Sequence, residues 1–516
     1  MRRRVLGACL VVLAATLAAC SGGEDHQTLR VLASPELADI KPLLKDLEDD
    51  TGIELDVDFT ATADLEGPLG SYDLAWPASD RSYLLRLREE GSRAAVPEST
   101  AIMRSPVVVG LTPAVARDVD TGKPLTWADV ADAAADGTVR FGMADPRRSD
   151  TGRAALVGVA TAAAGTGGVL RRKDVSCDRL RGFRAGQTLT GASSRELIET
   201  YVRRQGAANA LIAHESELLT LNASRKLKEP LKIVHPADGM VLSDFPLLLL
   251  DPGQHKAYRK VVDWLRGDEV QERLTRTTWR RPVGSDVPRP RELRAPIGNA
   301  LSYPDQLAVV RRLMESYGDP GRRRNGDHVV FLLDFSTSMR GQRMADLRAA
   351  FKGLSGADPS ATGKFARFYR GERLTVVTFA GRVLRQRTVS VRGDGDLERL
   401  NAFVASGGLA ADTAVWSALA HGYRVVADSV RTEPDRPVSV VLMTDGENNT
   451  GMEYGEFARR YGRLGDAARD APTFPVHLGE ADAGELRRAA TATGGRVVDA
   501  DSSSLSQAFK EIRGCR

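Results

Sequence analysis

At 516 residues the chain is too long for one compact hydrophobic core and calls for two or three domains. Hydrophobic content of 42% with 27% charged residues is ordinary for folded soluble protein and excludes general disorder. Of the formal charge of +4, three charges (Arg2, Arg3 and Arg4) lie in a leader expected to be removed, so almost no basic excess remains to favour nucleic acid.

Residues 1–20, MRRRVLGACLVVLAATLAAC, join a positive start to an apolar run that ends in small residues, the pattern of a secretory signal. The run is too short to span a bilayer comfortably as a permanent helix. Leu17-Ala18-Ala19-Cys20 resembles the lipobox of bacterial lipoproteins, which implies cleavage before Cys20 and lipid on that cysteine. The mature protein is then expected on the extracytoplasmic face of the cell membrane, lipid-anchored, with residues 21–27 as a polar tether. A plain signal peptide with an incidental cysteine is the alternative.

Over residues 28–283, short apolar strands alternate with amphipathic helices, an α/β pattern. LRVLA, IELDVDF and YDLAW read as strands, and PELADIKPLLKDLEDDTG supplies the first helix. RSPVVVGLT then opens a second unit, followed by PLTWADVADAAADG, where Thr126 and Asp129 have capping-box spacing, and by the strand VRFGMADP. This region resembles the extracellular solute-binding proteins of ABC transporters, of the two-lobe type. The resemblance implies a periplasmic-binding-protein-like module with lobe 1 at 28–104 and 240–283 and lobe 2 at 105–239. SPVVVG would be the outward crossing and MVLSDFPLLLL the return.

In that reading a small solute would lie between the lobes. Ser149, Asp150 and Thr151 stand at a helix start, where free backbone N–H groups can hold a polar or anionic ligand or simply be capped. Ser34, Pro77, Ala78, His214 and Glu215 are further cleft candidates by position at strand ends, though a His beside a Glu is often a hydrogen-bonded structural pair. Residues 284–326 read as a linker, Pro- and Arg-rich and extended, with one helix in YPDQLAVVRRLMESYG. Without interleaved aromatic residues, its arginines read as a solvated spacer.

The last domain, 327–516, opens on HVVFLLDFSTSMRGQR. Five apolar residues, Val329 to Leu333, suit a strand buried on both faces, and the strand empties into Asp334, Ser336 and Ser338. A carboxylate and two hydroxyls on alternating positions are hard oxygen ligands suited to a small divalent cation, although a turn with capping side chains uses the same residues. Two later segments bear on the choice. GGLAADTAVWSAL sets Thr413 between a Gly-rich loop and a helix, and PVSVVLMTDGENN is another apolar run, ending in Thr444 and Asp445. In an open α/β sheet the carboxyl ends of neighbouring strands converge on one crevice, so the three loops can meet.

That order and spacing resemble the von Willebrand factor A (VWA) domain, a Rossmann-like doubly wound fold, and its metal-ion-dependent adhesion site (MIDAS). The resemblance implies Asp334, Ser336, Ser338, Thr413 and Asp445 as the metal-site residues, with Mg²⁺ as the expected ion and Mn²⁺ or Ca²⁺ as substitutes. Thr337 stands where the family often has Gly between the serines, which removes no ligand but stiffens the loop.

Once the leader is cleaved and Cys20 lipidated, Cys177 and Cys515 remain, either free or paired as a disulfide across domains. No HExxH or GxSxG occurs, and TGKF lacks the flanking Gly and Ser/Thr of a phosphate loop, so an enzyme is not expected. The favoured expectation is a membrane-anchored lipoprotein that binds an unidentified protein partner, or another acidic ligand, through a metal. The alternatives are the substrate-capture subunit of an ABC transporter and a scaffold or assembly factor at the cell surface.

Overall fold

The computed structural model describes residues 27–60, 69–89, 98–165, 168–175, 177–284, 286–318, 327–357, 368–434, 436–445, 448–478 and 484–499. The expected leader, Cys20, Cys515 and the C-terminal helix lie outside them. Cys177 begins a helix, Cys177–Ala185, but its side chain is not described.

Strands β1 (Gln27–Ala33), β2 (Ile53–Phe59), β3 (Leu74–Trp76) and β4 (Ser99–Ala101) belong to a first sheet. The chain then enters a second sheet with β5 (Met103–Leu111), β6 (Phe141–Ala144), β7 (Gln187–Gly191), β8 (Ala210–His214), β9 (Lys232–Val234) and β10 (Leu242–Ser243). It returns to the first sheet as β11 (Pro246–Leu249), and β12 (Arg281–Pro282) pairs with β5 of the second. The first sheet runs β2-β1-β3-β11-β4 and the second β10-β5-β8-β6-β7. Each sheet has its own core, β1 contributing Leu29, Val31 and Ala33 to the first and β5 contributing Val107, Val109 and Leu111 to the second.

The segment expected to be an extended spacer is docked instead. Leu301, Val309, Leu313 and Tyr317 enter the second-sheet core beside Trp127, Leu156 and Phe183. The same segment reaches the first-sheet half, where Tyr303 and Ser82 share a hydroxyl hydrogen bond of 2.8 Å and Arg311 meets Glu89 at 2.8 Å. Proline and arginine content suggested solvation, but the apolar face of the helix Leu307–Tyr317 is what the core claims.

The third sheet contains β13 (His328–Asp334), β14 (Arg373–Phe379), β15 (Val383–Ser390), β16 (Val438–Thr444), β17 (Thr473–His477) and β18 (Val498–Asp499), in the order β15-β14-β13-β16-β17-β18. All neighbours are parallel except β14 and β15. Strand β13 is central, and its side chains alternate between two cores. Val329, Phe331 and Leu333 pack with Phe351, Phe368 and Leu400 on one face, and Val330 and Leu332 with Trp416, Leu419 and Tyr423 on the other.

His328 starts this strand at 1% exposure, its Nδ1 2.7 Å from Ser429 Oγ and its Nε2 2.8 Å from Thr375 Oγ1. Burial first, and then Arg373 and Arg436, push its pKa down to about 4. The unfolded chain binds a proton below about pH 6.5 that the folded chain refuses until about pH 4, so this contribution to stability is lost as pH falls through that window. We expect His328 to account for about 2 kcal/mol of destabilisation between pH 7 and pH 5. Denaturant unfolding of His328→Gln beside wild type at both pH values measures it, since the variant should lose less on acidification.

Candidate metal centre at the third sheet

Strands β13 and β16 are parallel neighbours, with Leu333 opposite Met443. Their carboxyl ends therefore lie side by side, and they do so where the connections turn to opposite edges of the sheet, the usual position of a ligand crevice in such folds. Asp334 closes β13 and Asp445 follows β16 directly, so two carboxylates that are 111 residues apart meet at one rim. Both are buried.

A continuous chain of hydrogen bonds joins them. The Ser336 N–H donates to Asp334 Oδ1 at 2.8 Å, the Ser336 and Ser338 hydroxyls lie 2.8 Å apart, and Ser338 Oγ donates to Asp445 Oδ1 at 2.9 Å. Thr444 Oγ1 donates to the other oxygen of Asp334 at 2.6 Å. Burial pushes the Asp334 pKa up and the neighbouring Asp445 charge adds to this, against the hydrogen bonds from Thr444 and Ser336. Two acids held this close have a standing demand for positive charge. Arg343, from the helix Gln342–Lys352, answers part of it by reaching Asp445 Oδ2 at 2.7 Å.

The capping alternative fares poorly on geometry. Ser336 precedes the short helix Thr337–Met339 but makes no side-chain cap bond, and the helix Val415–Thr432 takes Ala414, not Thr413, as its cap residue. Thr413 is buried, and its backbone is fastened to the loop after β16, donating to Asn449 Oδ1 at 2.8 Å and accepting from Asn449 N at 3.0 Å. The Gly-rich loop before it is drawn to the site by the bridge between Ser336 and Ala410. Gly407 in that loop is required by contact, since a Cβ there would stand 2.3 Å from the Phe335 ring.

The structure thus links Asp334, Ser336, Ser338 and Asp445 directly and ties the Thr413 backbone to Asn449, in the loop that follows Asp445. The donor set is all hard oxygen and fits a small divalent cation. Thr444, Arg343 and Asn449 were missed as site members. Thr444 directly precedes Asp445 and Asn449 lies four residues after it, so both were legible as polar neighbours, whereas nothing local marks Arg343 as its partner.

The cleft candidates divide. Ser34, Pro77 and Ala78 follow β1 and β3 and adjoin the return crossing, where Phe245 N donates to Ala78 O at 3.1 Å and the Trp76 indole donates to Phe245 O at 3.0 Å. The Phe245 ring lies 5.2 Å from that of His214 and 4.8 Å from the Arg280 guanidinium. His214 also meets Thr151 Oγ1 at 3.4 Å, Glu217 at 3.2 Å and Ser243 Oγ at 2.9 Å, and Ser149 and Asp150 are buried at the same helix start. Glu36, which the sequence did not single out, spans the two halves: Ser34 Oγ and the Ser194 N–H both donate to it. Its burial, and then the Glu217 charge, push its pKa up.

Glu215 belongs elsewhere. It is 1% exposed and held by Arg281, at 2.7 Å and 2.9 Å, and by His235 at 2.6 Å. Burial would raise its pKa, but the bonds from Arg281 and His235 hold it below the usual carboxylate value.

Comparison with known families matches residues 29–280 to the bacterial extracellular solute-binding protein model and residues 328–511 to the von Willebrand factor type A domain model. No curated protein matches the chain. Similar solved structures include the ferric binding protein from Campylobacter jejuni, 16% identical, covering 56% of this chain and 98% of that one with a TM-score of 0.44. The periplasmic binding protein AfuA from Actinobacillus pleuropneumoniae, with fructose-6-phosphate bound, is 13% identical over 56% of this chain and 97% of its own, with a TM-score of 0.45. An ABC-transporter substrate binding protein from Agrobacterium tumefaciens is 19% identical over 58% and 96%, with a TM-score of 0.42.

Proposed function

Because the chain joins a bacterial extracellular solute-binding domain to a von Willebrand factor type A domain, we propose that it is a surface binding protein in which the second domain grips a partner through a divalent cation. In this reading Asp334, Ser336, Ser338, Thr413 and Asp445 hold Mg²⁺, and an acidic side chain of a protein partner completes the ion's coordination. Lipid on Cys20 keeps the protein at the extracytoplasmic face of the membrane. The observation that carries the proposal is the pair of buried carboxylates at the ends of adjacent strands, joined through the Ser336 and Ser338 hydroxyls. Ser338 itself is exposed, which leaves one side of the cluster accessible to a partner's group. Mg²⁺ favours six oxygen ligands and retains several waters, so exchange of one water for a carboxylate is the expected binding step.

A partner captured from solubilised membranes in millimolar Mg²⁺ should be released by EDTA and recaptured when Mg²⁺ is restored. A complex that persists unchanged in excess chelator cannot rest on a metal bridge. A second reading, capture of a small solute by residues 29–280, draws on the polar cluster of Ser149, Thr151, His214 and Glu36 where the two halves meet. It leaves the metal cluster without a role and stands second for that reason.

A further inference from the structure

Asp445 is the more deeply enclosed partner of a lopsided ion pair. Its side chain is 0% exposed, whereas that of Arg343 is 45% exposed. One carboxylate oxygen accepts from Ser338 and the other takes the guanidinium. Arg343 is the second residue of its helix, set there by Gly341, whose φ of +87° lies in the left-handed region open chiefly to glycine. The arginine is thus aimed at Asp445 by backbone geometry, yet nearly half its side chain borders solvent and has room to swing away.

We propose that Arg343 is a built-in cation that competes with the divalent ion for Asp445 and so sets the affinity of the site. The inference rests on the metal-site reading above. A guanidinium and a divalent ion cannot both approach one carboxylate without repelling each other across a few ångströms of poorly screening protein. Metal entry therefore requires Arg343 to loosen or leave, and the departing guanidinium emerges at the exposed side of the cluster, beside Ser338. There it meets an incoming carboxylate as a second, hydrogen-bonding contact, with the planar fork that suits such a group. Metal binding and partner binding become coupled, since each gains from the displacement of Arg343.

The test uses the full-length chain, titrated calorimetrically with Mg²⁺ alone. Arg343→Ala should bind Mg²⁺ about tenfold more tightly than wild type, and Arg343→Lys, which keeps a charge, should stay near wild type. Free guanidinium ion at low, non-denaturing concentration should weaken Mg²⁺ binding in Arg343→Ala more than in wild type, by refilling the vacated place. A merely structural arginine would not produce that rescue. Equal or weaker Mg²⁺ binding in a folded Arg343→Ala overturns the competition while leaving the metal site standing. No saturable Mg²⁺ binding in either wild type or variant overturns the metal site, and this inference with it. If Arg343→Ala fails to fold, Arg343→Gln carries the same comparison.

Discussion

Asp334→Ala should weaken Mg²⁺ binding by about 100-fold or more, because in the proposed site it takes away one of the two carboxylates, where loss of a supporting residue alone costs 10- to 100-fold. The domain should nevertheless stay folded. Strand β13 is held by side chains on both faces, and Asp334 contributes no apolar contact to either core. Removing a buried carboxylate that faces Asp445 also relieves a like-charge repulsion and a desolvation cost, so stability without metal should be unchanged or slightly raised. The local losses are the acceptors for Thr444 Oγ1 and for the Ser336 N–H. Calorimetric titration with Mg²⁺ and a thermal melt in EDTA separate the two effects. A variant that binds as wild type does would remove Asp334 from the site, and one that melts far below wild type in EDTA would make it structural.

Arg281→Ala should be among the most destabilising substitutions in the first half of the chain, at about 3 to 5 kcal/mol, because it leaves the buried Glu215 carboxylate with His235 but without its arginine. Arg281 is 2% exposed and also donates to Leu293 O at 3.1 Å and Ala295 O at 2.8 Å, so its loss would detach the start of the docked segment as well. Removing both charges, as in Arg281→Met with Glu215→Leu, should recover much of the loss, since paired burial is costly and unpaired burial costlier. The pKa shift gives the pH sign. Glu215 lies below its ordinary value, so its contribution is present at neutral pH and lost as pH falls through the folded pKa. Scanning calorimetry of the full chain, with the solute-binding half followed as its own transition, measures each variant. A cost below about 1 kcal/mol for Arg281→Ala would mean the pair is as well screened as a surface bridge.

Much of the candidate site was legible because its markers are contiguous. Five apolar residues followed by D-x-S-x-S, and a second apolar run followed by Thr444 and Asp445, announce strand ends that carry oxygen-bearing side chains. The sheet's edge strand β15 was not legible, because VLRQRTVS is largely exposed, lacks the apolar run of a buried strand, and is held mainly by its pairing with β14. The cleft candidates were a weaker kind of reading. Position at a strand end singled out His214 and Glu215 together, but not that one faces Phe245 and the other is bound to Arg281.

By itself the sequence determined the division into a two-lobe α/β module and a doubly wound domain, and it picked out the oxygen-bearing residues that gather at one rim. The α/β alternation and the oxygen-bearing residues after buried runs are local properties, whereas the two-lobe and doubly wound divisions are what the resemblances to known families implied. The tertiary structure alone decided which charges meet. Arg343 reaches Asp445 across 102 positions and Arg281 reaches Glu215 across 66. It also decided that residues 286–318 close over the second-sheet core and do not extend as a spacer. An ion pair or a docked helix is chosen by which surfaces remain uncovered once the sheets have formed, and no stretch of sequence carries that information on its own.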